Sequence, residues 1–309
     1  NGIAVPAAMD AHLNRALDFS LHVHKPDGQV PSLSDGDVRS YRDLLALGAE
    51  LYDRDDLRFV ASAGRQGTAP AQRVAHFPDS GYTVVRGDWV DEARAFEDAP
   101  YLVFDCGPLG EGNHGHFDCL SLELAAHGRS LVVDTGRYTY SEAGETNWRV
   151  AFRTTAAHNT VCVDGRPQTS YLPKAVKPGT RHAAGTVRHK ISGPAPEAAL
   201  LERVHLARFD LLRGVAKSHE YPVSHERWVL FVDQTYWLVS DRLVPDGPGR
   251  TPSAHEFVLT WQLGAAAHER CRSVDEANAH RLESPGLTIL QPARPGQSVA
   301  LEAGWVSET

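Results

Sequence analysis

The densest chemistry in the chain lies in one short run, Gly112-Asn113-His114-Gly115-His116-Phe117-Asp118. His114, His116 and Asp118 alternate, so an extended backbone would point all three to one face. Gly112 and Gly115 would let that backbone come close to a ligand. An imidazole titrates near neutrality, which makes His114 a candidate general acid or base. Asp118 could orient a neighbouring histidine through a hydrogen bond. Two later positions complete a possible ligand set: Asp134, at the end of an apolar run, and His158, in Arg153-Thr-Thr-Ala-Ala-His158-Asn159-Thr160. His116, Asp134 and His158 would bring two imidazoles and a carboxylate from separate segments, which suits Zn²⁺. Helical HExxH spacing is absent, so simpler roles stay open. The His114–His116 run could be an exposed polar loop, Asp134 a turn former beside Thr135-Gly136, and His158 a hydrogen-bonded strand start.

Between these clusters lie Arg137, Arg149 and Arg153, a residue type suited to two-pronged binding of carboxylate or sulfate. Tyr138 and Tyr140 lie there too, and a sugar ring can stack on such faces. All five are also what a solvated loop would carry. His225 opens an apolar strand beside Glu226-Arg227, where packing at the core edge is the expected role. There is no Ser-centred nucleophile elbow, Walker loop or dinucleotide fingerprint.

The elements that must position these residues fall into two parts. Residues 7–64 read as helical, with Leu13, Ala16, Leu17 and Phe19 at helical spacing, a second helix over 39–52 and a short third near 56–62. A turn-rich loop, Pro26 to Asp37, separates the first two. Residues 65–75 read as a linker. Thereafter short strands alternate with turn signals: 81–86, 101–105, a hairpin over 120–134, 160–163, 200–208, 225–232, 236–240, 256–261, 287–290 and 298–305. Asp233-Gln234 marks a hairpin turn. Strands with little helix between them predict a mainly β chain built as an antiparallel β-sandwich.

Composition narrows the function classes. The chain has 309 residues, 42% of them hydrophobic, enough for a large core. No apolar run is long enough for a transmembrane helix, so membrane insertion is not expected. A net charge of −8 argues against a general nucleic-acid partner. The four cysteines, at 106, 119, 162 and 271, form no CxxC pair. Three lie in apolar runs and read as small buried hydrophobes, with a disulfide as the alternative.

Three blocks together resemble the heparinase II/III-like polysaccharide lyases: His114-Gly-His-Phe-Asp-Cys-Leu-Ser-Leu-Glu-Leu124, Leu131-Val-Val-Asp-Thr-Gly-Arg-Tyr-Thr-Tyr140 and Trp148-Arg-Val-Ala-Phe-Arg-Thr-Thr-Ala-Ala-His-Asn-Thr-Val161. Pro26-Asp-Gly28, Ser34-Asp-Gly-Asp37 and Pro78-Asp-Ser-Gly-Tyr82 are similar to upstream features of that family. The resemblance implies an antiparallel β-sandwich preceded by the last helices of an (α/α) toroid, with residues 1–68 in the toroid and 69–309 in the sandwich. It implies β-elimination on a uronic-acid glycan, an acidic polysaccharide partner, and a periplasmic or secreted location. It implies a divalent metal, expected to be Zn²⁺ and structural, held by His116, Asp134 and His158, with His114 catalytic or neutralising a carboxylate. Arg137, Tyr138, Tyr140, Arg149 and Arg153 would meet substrate. The family's toroid Tyr and Asn are absent from these residues, so the chain alone is expected to be a poor catalyst. Ala151 stands where alginate-type members carry a catalytic Tyr, which points away from alginate. The alternatives are a non-catalytic glycan-binding or scaffold module with the same fold and, more remotely, a metal-dependent hydrolase.

Overall fold

A computed structural model describes residues 6–110, 114–175, 187–247, 254–268, 270–302 and 304. Three helices come first: α1 (Ala7–Val23), α2 (Arg42–Tyr52) and α3 (Asp55–Ala61). Leu17 and Leu21 of α1 bury against Leu45 and Ala49 of α2 and Leu57 and Val60 of α3. Gly48 permits that crossing, since a Cβ there would come within 2.7 Å of the Leu17 side chain. Helix α2 starts three residues later than the spacing suggested. The Ser40 hydroxyl accepts from the Arg42 amide at 3.2 Å and satisfies one otherwise orphaned donor there.

The strands β1 (Val74–Phe77), β2 (Tyr82–Arg86), β3 (Tyr101–Asp105), β4 (Leu122–Ala126) and β5 (Arg129–Val132) form an antiparallel sheet in that order. Strand β1 occupies part of the expected linker, because β2 offers its edge to Val74–Phe77. A short helix α4 (Trp148–Arg153) follows, capped by the Asn147 side chain, which accepts from the Val150 amide at 3.1 Å. Then come β6 (Val161–Val163) and an unanticipated ribbon of β7 (Tyr171–Ala175) and β8 (Val187–Ile191).

A second sheet runs β9 (Glu197–His205), β10 (Phe209–Lys217), β11 (Val223–Val232) and β12 (Tyr236–Pro245), each paired with the next. Its β11–β12 turn has Asp233 and Gln234 both at positive φ, the conformation of a tight hairpin. The strand expected over 200–208 starts at Glu197 and ends at His205, because the chain turns back there and β10 takes the next place in the sheet. The remaining strands are β13 (Phe257–Leu259), beside β6, and the meander β14 (Arg272–Asp275), β15 (Ala279–Ser284) and β16 (Leu287–Pro292). Residues 298–302 form no strand, and 303 and 305 lie outside the described residues.

Phe104, Leu122, Leu124 and Leu131 of the first sheet share one core with Leu212, Val229 and Phe231 of the second. Each such side chain contributes about 1.5–3 kcal/mol on burial. Two antiparallel sheets closed on one apolar layer make the expected sandwich. The other face of the first sheet, through Val84, Tyr101 and Val103, packs on Leu33 of the loop between α1 and α2. That loop is bolted to the sheet. Tyr101 donates to the Val23 carbonyl at 2.9 Å, and Lys25 makes a buried ion pair with Glu123 at 2.6 Å. All four cysteines are free, and Cys106, Cys119 and Cys162 are buried.

Candidate active site and metal centre

The segment from His114 to Leu120 is irregular backbone between β3 and β4, and its shape is imposed from outside. Arg153, at the end of α4, donates from Nε and Nη2 to the Gly115 carbonyl at 3.2 and 2.8 Å. The Arg153 carbonyl in turn accepts from the Phe117 amide at 3.0 Å. Gly115 serves packing here, not ligand approach: a Cβ would lie 1.7 Å from the Leu109 carbonyl oxygen. Gly112 lies outside the described residues. Gln168 pairs with both the amide and the carbonyl of Cys119, at 2.9 and 3.0 Å. Arg227 donates to the carbonyls of Leu120 and Asn159 at 2.7 and 2.5 Å. Asp241 holds Arg227 at 2.7 Å and pairs with His225 at 2.6 Å, so His225 is a buried structural partner.

Asp35 is where the site converges. It sits in the loop between α1 and α2, and its carboxylate accepts from His114 Nδ1 at 2.7 Å, His116 Nε2 at 3.2 Å and Arg149 Nη2 at 2.7 Å. A second bond from Arg149 makes that pair two-pronged. Burial alone would raise the Asp35 pKa, but its bonds to His116, Arg149 and His114 hold it well below the usual carboxylate range. Beside it, Arg137 pairs with Asp37 and lies 4.4 Å over the Tyr140 ring. Tyr140 is 53% exposed, and its ring stands 6.3 Å from that of His114. Tyr138 stacks on Phe152 at 4.9 Å and keeps part of its ring open to solvent.

Below this surface His116, Asp134 and His158 come together, their ligand atoms within 4.8 Å of one another and all three residues buried. Asp134 accepts from His158 Nδ1 at 2.9 Å and from the Gly136 amide at 2.8 Å. Burial would lower the His158 pKa, yet the Asp134 charge and hydrogen bond raise it to about 9. Burial pushes His116 down, against its bond to Asp35. His116 Nδ1 and His158 Nε2 are buried without a hydrogen-bond partner. Such atoms cost free energy unless something binds them. Two unpartnered imidazole nitrogens and a carboxylate are a donor set that a borderline cation accepts on displacing the His158 Nε2 proton, so the residues fit a divalent metal.

The structure thus gathers His114, Arg137 and Tyr140 at one surface, with buried Arg149 behind them on Asp35 and His116, Asp134 and His158 beneath. Two expected roles change. Arg153 is 2% exposed and shapes the His114 segment, where substrate contact was expected. Asp118 makes no hydrogen bond to a histidine among the described residues; it lines a small buried pocket with Asp105, Glu123 and Asp134. Burial pushes Asp118 up, and burial and the Asp118 charge push Asp105 well up. The residues that spacing alone did not single out are Asp35 and Asp37. Their signal was two acids flanking a glycine, in a chain whose three candidate arginines lacked an evident partner.

Comparison with known proteins bears on the family and the fold. The family described as "Heparinase II/III-like, C-terminal" matches residues 69–309. A heparin-sulfate lyase of Bacteroides stercoris is 24% identical over 96% of this chain and 39% of its own length. A heparin-sulfate lyase of Pedobacter heparinus is 26% identical over 67% of this chain and 26% of its own length. The chain therefore spans about two fifths or less of these relatives. Among solved structures, the heparinase III BT4657 gene product superposes with a TM-score of 0.66 at 20% identity, over 90% of this chain and 39% of that one. The heparan sulfate lyase HepC from Pedobacter heparinus gives 0.65 at 20% identity, over the same shares. These likenesses show the fold. With the family matched across most of its length, the chain belongs to the heparinase II/III-like C-terminal family.

Proposed function

We propose that this chain works in a polysaccharide lyase that cleaves a uronic-acid glycan by β-elimination. The observation that carries the reading is the convergence of His114, His116 and Arg149 on one carboxylate. Asp35 fixes His114 at the surface beside Arg137, and a uronate presents a carboxylate next to its C5 proton for such a histidine and arginine to meet. Pairing that carboxylate with Arg137, the partly exposed arginine of the cluster, makes the C5 proton more acidic. His114, whose side chain is 69% exposed, takes the proton. The electron pair forms the C4–C5 double bond as the C4–O4 bond breaks, and O4 leaves with a proton from an acid. Positive charge held near the carboxylate stabilises the enolate-like intermediate, which is where most of the rate comes from. Tyr140 beside His114 and the open part of Tyr138 offer faces for the sugar. The relatives' names as heparin-sulfate lyases support the reaction class.

His116, Asp134 and His158 would hold the divalent ion, with Zn²⁺ the best match to the donors. When bound, the ion supplies fixed positive charge and ties three chain segments together. Elimination consumes no water, so we assign it a structural role. A location outside the cytoplasm is part of the same proposal.

The test is to incubate the longest natural form of the protein with heparan sulfate, unsulfated heparosan, hyaluronan, chondroitin and alginate, following ultraviolet absorbance of the unsaturated product. Product from at least one glycan other than alginate is expected. Binding without product from any glycan would overturn the lyase reading in favour of a non-catalytic glycan-binding module.

A further inference from the structure

From Gly165 to Pro196 the chain holds six Lys and Arg and no Asp or Glu, leaving 25 Lys and Arg against 39 acids elsewhere. The β7–β8 ribbon lies in this stretch. Its register places Lys174 directly opposite Arg188, and Leu172 opposite Lys190. Period-two alternation puts Leu172, Lys174, Arg188 and Lys190 on one face. The other face carries Tyr171 and His189 and is fixed to the site. The Tyr171 ring packs on Phe117 at 4.6 Å, next to His116. His189 donates from its amide and pairs through Nδ1 with Glu142 at 2.7 and 2.8 Å, in the loop that carries Tyr140.

The cationic face is therefore held beside the site and turned to solvent. Lys174 and Lys190 are exposed, and neither forms an ion pair among the described residues. Arg188 stays 40% exposed, 3.8 Å from Glu142. Like charges directly opposite on a two-stranded ribbon are destabilising, and such ribbons are marginal to begin with. A bound anion offsets that repulsion: Cβ atoms about 5 Å apart let two cations share one acid group. Exposed Leu172 adds an apolar patch suited to a sugar face.

We infer that Lys174, Arg188 and Lys190 of the β7–β8 ribbon form a second contact surface for the acid groups of a polyanionic glycan, beyond the residues around His114. The inference rests on the proposed function only for the identity of the polymer. Its readout is binding, independent of turnover.

The experiment measures affinity for heparan sulfate and unsulfated heparosan oligosaccharides of equal length, at several salt concentrations. The variants are K174Q/R188Q/K190Q, the single variants K174Q and K190Q, and a control of equal charge change, R208Q/R272Q/R294Q, on exposed arginines away from the ribbon. The ribbon triple variant is expected to lose roughly tenfold in affinity and to show a shallower salt dependence, with intermediate losses in the single variants. The control should stay within about twofold, with all melting curves superimposable. Loss confined to heparan sulfate assigns the contacts to sulfates; equal loss on both glycans assigns them to carboxylates. Unchanged affinity in the triple and single variants, an equal loss in the control, or tighter binding of single-stranded DNA than of either glycan would overturn the inference. If no glycan yields unsaturated product while the ribbon variants still lose binding, the lyase reading fails and this one stands.

Discussion

Arg149 and Asp35, 114 positions apart in the chain, close a two-pronged ion pair whose carboxylate also accepts from His114 at 2.7 Å. The pair ties the loop between α1 and α2 to α4 and sets His114 between them. Asp35→Ala takes away an acceptor shared by three donors, with both partners of the ion pair largely buried. It is expected to lower stability by about 3 kcal/mol, and Asp35→Asn by less. Urea unfolding of the two variants against the parent measures the difference; equal stability of all three would contradict the assignment.

His116 and His158 each keep one ring nitrogen buried without a partner. Protein purified without chelator should therefore carry about one equivalent of divalent metal, predominantly zinc, by elemental analysis. Chelation should lower the melting temperature, because the ion binds the folded state and not the unfolded one. His116→Ala should lose both the metal and the chelator sensitivity. Protein that is metal-free and gains none on adding zinc would remove the site.

His114 is exposed and bonded to Asp35, apart from the orphaned nitrogens. His114→Ala should abolish unsaturated-product formation, a loss of at least about a hundredfold, while metal content stays at the parent value. Loss of metal on that substitution would instead move His114 into the ligand set.

Arg153 holds the Gly115 carbonyl with two bonds. Arg153→Met leaves that buried acceptor unsatisfied and should cost about 1–3 kcal/mol. Turnover should fall further than the stability loss explains, because His114 is no longer held in place. Arg153→Lys should recover only part of either, since an ammonium lacks the guanidinium fork. The split between kcat and KM checks this: a positioning role moves kcat with KM little changed.

Two histidines, half-buried His22 and buried His24, make the fold acid-sensitive. Burial, reinforced by Arg86, lowers the pKa of His22 to about 4 and of His24 to about 3. Their folded values lie below the unfolded value, so the unfolded state takes up protons first as pH falls. Their contribution is complete above about pH 6.5 and is lost towards the folded values. Between roughly pH 6 and 4 the two should cost about 2–3 kcal/mol per pH unit. His24→Leu should flatten that slope by about one proton, which denaturant titrations at several pH values would show. An unchanged slope would mean that other groups control it.

Local pattern carried much of the architecture. Tyr101–Asp105 reads as a strand and is one, and Asp233-Gln234 turns the hairpin its flanks imply, because short-range sterics and period-two burial act within a few residues. Residue type likewise marks His116, Asp134 and His158 as ligand candidates, and the fold brings them together. Strand β1 was less legible, because its half-buried Val74–Phe77 owes its conformation to β2. The β7–β8 ribbon, with Pro173 and three cations, lacks the apolar alternation that announces a strand.

Only the tertiary structure decided the partners. Asp35 meets His114 from 79 positions away, and Lys25 finds Glu123 across 98. It also decided that Arg149 pairs with Asp35 beside His114 while Arg153, one helical turn on, holds the Gly115 carbonyl under the same segment, both of them buried. Both are arginines in one short helix, equally suited by type to bind an acid. Which partner each one meets depends on what packs against each face of that helix: Asp35 of the loop between α1 and α2 fills the Arg149 fork, and the Gly115 carbonyl takes Arg153. Residue type and spacing determine which chemistry is possible here; long-range contacts determine which partner each side chain meets and which side chains stay at the surface.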